Sequence, residues 1–386
     1  MNQAVIIDCL RTPIGRAHPE RGYYRDVRSD DLAVHCVQAL VERTGIDPHE
    51  IEDVLFGCTQ QTLEQGLNVA RIIGLTSVLP VTAAGATINR LCGSSLQALN
   101  QAAHSIIAGG EDVQIVGGLE HMTHVPMDHA IDVNPKLYHH TSEAALHMGI
   151  TAEFLAQTQG ISRKDQDEFA LASHQKAIAA TEAGKFSQEI IPTHGRTEDG
   201  KRQLLTSDQC IRDDTSMEAL SALRPAFMPD GGTVTAGNAS PINDGACAML
   251  MMSDAAAKRL GLKPMAKVVA TAVAGVEPSV MGTGPIPATH KVLKRAGMTL
   301  DQIDLIELNE AFAAQSLACL RGLELDAEKV NVNGGAIAIG HPLGCSGARI
   351  STTLLHAMHD RGARFGLATM CIGVGQGIAT IFERID

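Results

Sequence analysis

This chain of 386 residues has no tryptophan, and aromatic residues make up only 3% of it. A core without large rings has to be filled by Ala, Val, Ile, Leu and Met, which suits helices packed on a sheet. There is no C-x-x-C pair, and the nine cysteines (positions 9, 36, 58, 92, 210, 247, 319, 345 and 371) are odd in number and irregularly spaced. That argues against a disulfide framework and for a reducing compartment. Basic blocks are missing as well. With a formal net charge of -12, nucleic acid and anionic membrane are poor partners. A small anionic ligand stays open, because helix N-termini can bind one. No apolar run approaches the ~20 residues of a membrane span. The segment Met1 to Asp8 lacks the charged region and long apolar run of a signal peptide. The expectation is a cytoplasmic protein without a membrane span.

Hydrophobic residues amount to 45% and glycines number 37, enough for a sizeable core and many tight turns. The length predicts two or three domains. Short apolar runs at residues 5–7, 53–57, 86–89 and 113–117 read as strands. Helices are expected from Asp30 and Asp31 as caps to Arg43, over 66–75, and from Cys92 to Ala108. This alternation predicts a layered α/β domain with a largely parallel sheet. Residues 120–241 break the rhythm. They carry helical pieces near 151–158 and 165–182 and read as a long functional insertion. From 242 the pattern returns. Residues 45–54 align with 297–306, Cys92 with Cys345, and 115–118 with 367–370, at offsets of 252 to 253. Near-constant offsets predict a duplicated α/β unit, whose equivalent turns meet near a shared axis.

Three Gly/Ser-rich turns carry reactive side chains. They are Leu91 to Ser95 (LCGSS), Gly340 to Ala348 (GHPLGCSGA) and Met370 to Gly375 (MCIGVG). Cys92 follows a predicted strand and opens a predicted helix, where the dipole favours a thiolate; a buried structural cysteine is the plainer alternative. His341 precedes Pro342, which biases it to an extended backbone and makes it a candidate base or oxyanion donor. Cys371 ends a strand-like run. The glycines after it have the wrong spacing for a dinucleotide fingerprint, and only nine residues follow Gly377, so they suit an oxyanion hole better. Asn309 and Glu310 end another strand and could hold a water or orient His341; Asn is also a common helix cap. His121, His124 and His129 invite a zinc reading. No cysteine or carboxylate joins them at a familiar spacing and Pro126 interrupts any helix, so no metal is expected. Met122, Met127 and Met148 line an apolar pocket or fill core.

Four segments in order, Asn89 to Ser95 (NRLCGSS), Asn309 to Phe312 (NEAF), Asn333 to Arg349 (NGGAIAIGHPLGCSGAR) and Ala368 to Gly377 (ATMCIGVGQG), closely resemble the thiolase family over essentially the whole chain. Arg90, Ser95 and the segment Gly118 to Met127 resemble its degradative branch, in fatty-acid β-oxidation, more than its biosynthetic acetoacetyl-CoA branch. The resemblance implies an α/β fold of two duplicated halves stacked as five layers with an inserted loop domain. Residues 1–120, completed by 242–262, would form the first half, 121–241 the loop domain and 263–386 the second half. It implies ping-pong cleavage of a 3-ketoacyl-CoA by CoA, with CoA as co-substrate and no permanently bound cofactor. Cys92 would be the nucleophile, His341 its base and an oxyanion donor, and Cys371 the second acid/base. Asn309 would hold a water in one oxyanion hole, and Gly373 would lend its N–H to the other. Ser240, Ala236, Phe227, His147 and Met148 would touch substrate or CoA. A homodimer joined to an α-subunit with hydratase and dehydrogenase activities, as an α2β2 complex, is implied too. A ketoacyl synthase would pair Cys with two histidines, against which Cys371 argues.

Overall fold

The structure is a computed structural model and describes residues 2–385. Twelve strands form: β1 (Ala4–Arg11), β2 (Gly15–Arg16), β3 (Asp53–Gly57), β4 (Ala86–Ile88), β5 (Val113–His121), β6 (Thr193–Arg196), β7 (Arg202–Leu205), β8 (Asn243–Ser253), β9 (Ala266–Gly275), β10 (Leu305–Leu308), β11 (Phe365–Ile372) and β12 (Gln376–Arg384). The helices are α1 (Ser29–Thr44), α2 (Val69–Thr76), α3 (Ser94–Ala108), α4 (Met148–Thr158), α5 (Arg163–Glu182), α6 (Met217–Ser221), α7 (Asp254–Leu260), α8 (Pro285–Ala296), α9 (Ala313–Gly322), α10 (Ala336–Ile339) and α11 (Ser346–Arg361).

The main sheet runs β10-β11-β12-β9-β1-β8-β5-β3-β4, with β2 beside β8, and β6 pairs β7 in a separate hairpin. The order is symmetric about the short β1–β9 contact. On one side β8 is antiparallel to β1 and β5, and β3 is parallel to β5. On the other, β12 is antiparallel to β9 and β11, and β10 is parallel to β11. Asp53, Ser94 and Val113 open β3, α3 and β5; Leu305, Ser346 and Phe365, each 252 positions on, open β10, α11 and β11. The duplication in the sequence is a duplication of structure. The insertion has more regular structure than its composition suggested, since α4, α5, α6 and the hairpin all lie within it.

Three clusters of buried side chains hold five layers together, the central one spanning both faces of its helices. One packs α1 and α2 on the first half-sheet, with Leu32, Val37, Leu40 and Ile73 against Val54 and Ile115. The central slab holds α3 and α11, with Leu96, Leu99, Ile350 and Leu354 between the halves. The third packs α8 on the second half-sheet through Val292 and Leu293. Each fully buried Leu or Ile contributes roughly 1.5–3 kcal/mol by leaving water, and small residues let the layers approach closely. A Cβ on Gly347 would lie 2.4 Å from the Leu96 nitrogen.

The sheet is mixed and mostly antiparallel, not largely parallel as expected, because β8 and β12 run against their neighbours in each half. Two local readings change as well. Asp30 and Asp31 do not cap α1. The N-cap is Arg28, without a side-chain cap bond, and both acids lie in the first turn, where they favour the positive end of the helix dipole. The stretch from 66 is not helical until Val69; Leu67 and Asn68 adopt positive φ, so the chain turns before the helix begins.

Candidate active site

The Cys92 turn is built by backbone strain and by its neighbours. Leu91 adopts φ 46°, a left-handed conformation costly for a side chain of its kind. The Ser94 hydroxyl lies 2.5 Å from the Leu91 carbonyl, and the Arg90 N–H donates back to Ser94 Oγ at 2.9 Å. A Cβ on Gly93 would lie 2.5 Å from Ile372 Cδ1. The Cys92 turn therefore lies directly on the end of β11, and the Gly373 N–H reaches the Cys92 sulfur. Beyond Gly373, Val374 adopts φ 61°. A β-branched residue in that region is an outlier, and such strain persists only where the surroundings over-determine it.

Cys92 is only partly buried. Burial by surrounding protein nevertheless pushes its thiol up to about 11; the backbone N–H groups of Gly373 and of Cys92 itself pull it down less, and Glu120 pushes it further up. The expected dipole-stabilised thiolate is thus corrected to a neutral thiol at rest. The helix does not start at Cys92 but at Ser94, after Gly93, and desolvation outweighs the local N–H groups. Cys371 is buried among Met148, Ala239, Met281 and Phe312. Burial and then Cys92 push its thiol well above the ordinary range, so it too is protonated at rest.

His341 is buried, and its N–H donates to Asn243 Oδ1 at 2.8 Å. Its Nδ1 lies 2.6 Å from Ser346 Oγ, and the Ser346 hydroxyl lies 2.8 Å from the Pro342 carbonyl. That carbonyl can only accept, so the single hydroxyl proton goes to it and Nδ1–H donates to the serine. Nε2 then carries a lone pair. Asn309 Nδ2 donates to it at 3.4 Å, and Asn309 Oδ1 has no hydrogen-bond partner among the described residues. Burial, and next Arg349, lower the imidazole to about 3. His341 is a neutral acceptor held in one tautomer. Asn309 reaches it from the end of β10 and contacts His341, whereas the helix-cap reading of Asn309 fails, because the helix after it is capped by Phe312.

Among the other predicted residues, Met148 lies against both Cys371 and Gly373; a Cβ on Gly373 would be 3.3 Å from its sulfur. Phe227 packs edge-on to Phe312 at 6.0 Å and lies over Gly149. Ser240 donates its hydroxyl to the Ala311 carbonyl at 3.1 Å. His147 is exposed at the N-cap of α4. Ala236 is exposed and lines a small cavity with Arg16, His174 and Arg212. A cavity of about 350 Å³ between α5 and α9, lined by Ser173, Lys176, Glu310 and Arg321, has no cysteine or histidine on its walls.

The histidine cluster has its own explanation. His121 and His124 stack at 3.9 Å, and a Glu64 oxygen lies within 4.8 Å of a ring nitrogen of each. All four ring nitrogens already have partners. Nε2 of His121 faces the Tyr24 carbonyl and its Nδ1 accepts the His124 N–H; His124 lies between Glu64 and the Arg25 carbonyl. His129 is exposed outside this cluster. Ser346, Asn243 and Glu120 had no signal in the sequence as site partners, since each acts through a fold contact.

A thiol near backbone N–H groups, a second thiol that feels its charge and a neutral histidine whose Nε2 is an acceptor are groups that suit an acyltransferase working through sulfur. Residues 4–255 match the thiolase N-terminal domain and residues 262–384 the thiolase C-terminal domain. The chain is 55% identical over 389 residues to a 3-ketoacyl-CoA thiolase of Photobacterium profundum, covering 100% of both chains. It is 55% identical over 388 residues to one of Vibrio cholerae, again with 100% of both covered. Among solved structures it resembles human mitochondrial 3-ketoacyl-CoA thiolase (TM-score 0.91, 38% identity, 100% of this chain and 99% of that one). It also resembles Bacillus anthracis acetyl-CoA acetyltransferase (TM-score 0.90, 39% identity, 100% and 99%). The chain belongs to the thiolase family.

Proposed function

We propose that this protein cleaves 3-ketoacyl-CoA with CoA to acetyl-CoA and a shortened acyl-CoA, the last step of fatty-acid β-oxidation. The observation that carries the mechanism is the packing of the Cys92 turn on the end of β11, where a Cβ on Gly93 would meet Ile372 and one on Gly373 would meet Leu91. Two backbone donors, of Cys92 and Gly373, then await negative charge on a thioester oxygen formed there. Cys92 attacks the 3-keto carbon while His341 Nε2 takes its proton. Because the thiol rests near 11 and the imidazole near 3, proton transfer accompanies attack and does not precede it. The bond between C2 and C3 breaks, and the acetyl-CoA enolate leaves, its oxygen held by His341 and a water on Asn309. Cys371, a thiol at rest, protonates the enolate carbon. The resulting Cys371 thiolate takes the proton of the incoming CoA, whose sulfur displaces the acyl group. Cys92 leaves as thiolate and recovers its proton from His341. The two half-reactions give ping-pong kinetics.

Residues 121–241 act as the binding domain in this reading, with Met148, His147, Phe227, Ser240 and Ala236 along the pantetheine and acyl path. CoA is a co-substrate and no bound cofactor is required. The edge strand β4, and separately the exposed Leu63, Leu67 and Val81, suit a homodimer, since an open sheet edge and exposed apolar side chains call for cover. The α2β2 complex with a hydratase/dehydrogenase α-subunit and a cytoplasmic location belong to the same proposal. No described helix is long and apolar enough to cross a membrane.

The test is thiolysis by the purified protein from acetoacetyl-CoA to long-chain 3-ketoacyl-CoA. A kcat/KM that holds or rises with length supports β-oxidation. Activity confined to acetoacetyl-CoA would make this the biosynthetic acetyl-CoA acetyltransferase, the second reading, which the likeness to the Bacillus enzyme favours.

A further inference from the structure

Glu120 is fully buried near the end of β5, on strand residues that are themselves buried. Four N–H groups converge on its carboxylate. Oε2 accepts from the backbone of Thr59 at 2.9 Å and of Gly344 at 2.8 Å. Oε1 accepts from the backbone of Gln60 at 3.2 Å and from Gln65 Nε2 at 2.8 Å. A carboxylate offers only acceptors and suits four donors; an amide would turn two of its own donors toward them.

These donors belong to the two catalytic turns or to what grips them. The Thr59 hydroxyl donates to the Leu91 carbonyl at 3.1 Å, and the Thr59 carbonyl accepts from Asn89 Nδ2 at 2.9 Å. Thr59 thus holds the chain on both sides of Arg90, just before Cys92. Gly344 lies in the turn that runs from His341 to Ser346, the serine that fixes the His341 tautomer. The approach is so close that a Cβ on Gly344 would lie 2.9 Å from Glu120 Oε2 and 2.6 Å from the Leu119 carbonyl.

We propose that Glu120 is a positioning residue, a buried carboxylate that holds the Cys92 turn of the first half in register with the His341 turn of the second. It touches no reacting atom. The inference rests on catalysis through Cys92. Misplacement of reacting groups by about 1 Å costs on the order of 100-fold in rate, which sets the expected effect of losing this link. The titratable group acting on Cys92 is Glu120, while Cys92 in turn acts on Cys371, and the one facing Glu120 from its own surroundings is the Cys58 thiol.

The experiment compares wild type with Glu120→Gln in thiolysis and in the pH profile of Cys92 alkylation by iodoacetamide, with labelled sites counted by mass spectrometry. Labelling confined to Cys92 marks the folded protein. The expected result is a kcat lower by about 100-fold with KM little changed, and an alkylation midpoint moved to lower pH, because a negative charge near the thiol is gone. A kcat within threefold of wild type, or an unmoved midpoint, would overturn the proposal. If Glu120→Gln does not fold, Thr59→Val decides. It keeps the carboxylate and drops the grip on Leu91, so kcat falls and the midpoint stays; undiminished kcat overturns the proposal. Wild type that is alkylated at Cys92 yet cleaves no 3-ketoacyl-CoA overturns the functional reading alone, and the alkylation midpoints still decide the role of Glu120.

Discussion

Nδ1 of His341 donates to Ser346 Oγ at 2.6 Å, and the serine passes its own proton to the Pro342 carbonyl. One hydroxyl thereby dictates which imidazole nitrogen keeps its lone pair. Ser346→Ala releases that choice. The variant should keep its melting temperature within a few degrees and lose roughly 10- to 100-fold in kcat, the usual range for disturbing general base catalysis. Unchanged kcat would show that the tautomer is set elsewhere.

Cys92→Ser should remove nearly all thiolysis while leaving the fold intact, since an alcohol is a far weaker nucleophile than a thiol. Mass spectrometry after mixing with acyl-CoA should find an acyl group on wild type and none on the variant. Normal turnover by the variant would sink the assignment.

Cys371→Ala should separate the half-reactions. Cys92 still accepts an acyl group from a simple acyl-CoA, but no acid remains for the enolate, so cleavage of 3-ketoacyl-CoA stops. Unimpaired thiolysis would show that another group moves that proton.

Acid stability should follow His341. Its folded value near 3 lies below the ordinary ~6.5 of the unfolded chain, so the unfolded state binds the proton first. This contribution is present above pH ~6.5 and is lost as pH falls toward 3. In urea titrations between pH 6 and 4, His341→Asn should show a shallower loss than wild type, by up to one proton, about 1.4 kcal/mol per pH unit. Parallel slopes would contradict a neutral buried imidazole. The acid limb of wild-type kcat/KM should likewise lack a midpoint near 6.5.

Cys92 alkylation should rise with pH without a midpoint below about 9, because burial and Glu120 hold the thiol up near 11. A midpoint near 6 would mean a thiolate–imidazolium pair at rest, contrary to the environment of both groups.

Composition and local order in this chain determined the layered α/β class, the repeat and the three reactive turns. Strand–turn–helix signals are written in short stretches such as Asp53 to Gly57 and Ser94 to Ala108, and a duplicated unit repeats them at constant offset. The candidate reactive residues stood out for the same reason, because Cys92, His341 and Cys371 each sit in a tight Gly-rich turn, whereas their proposed roles came from the resemblance to the thiolase family. The states of these groups were not legible. A local reading makes Cys92 a thiolate at a helix start; only packing against Ile372 and Gly373, and proximity to Glu120, make it a neutral thiol, because desolvation depends on neighbours distant in sequence. Likewise, Ser95 and Ala348, 253 positions apart, meet at 2.8 Å across the central helices, and Glu120 joins Thr59 to Gly344. Such contacts fix where the two turns stand relative to each other, and they arise only when the two halves fold onto one another.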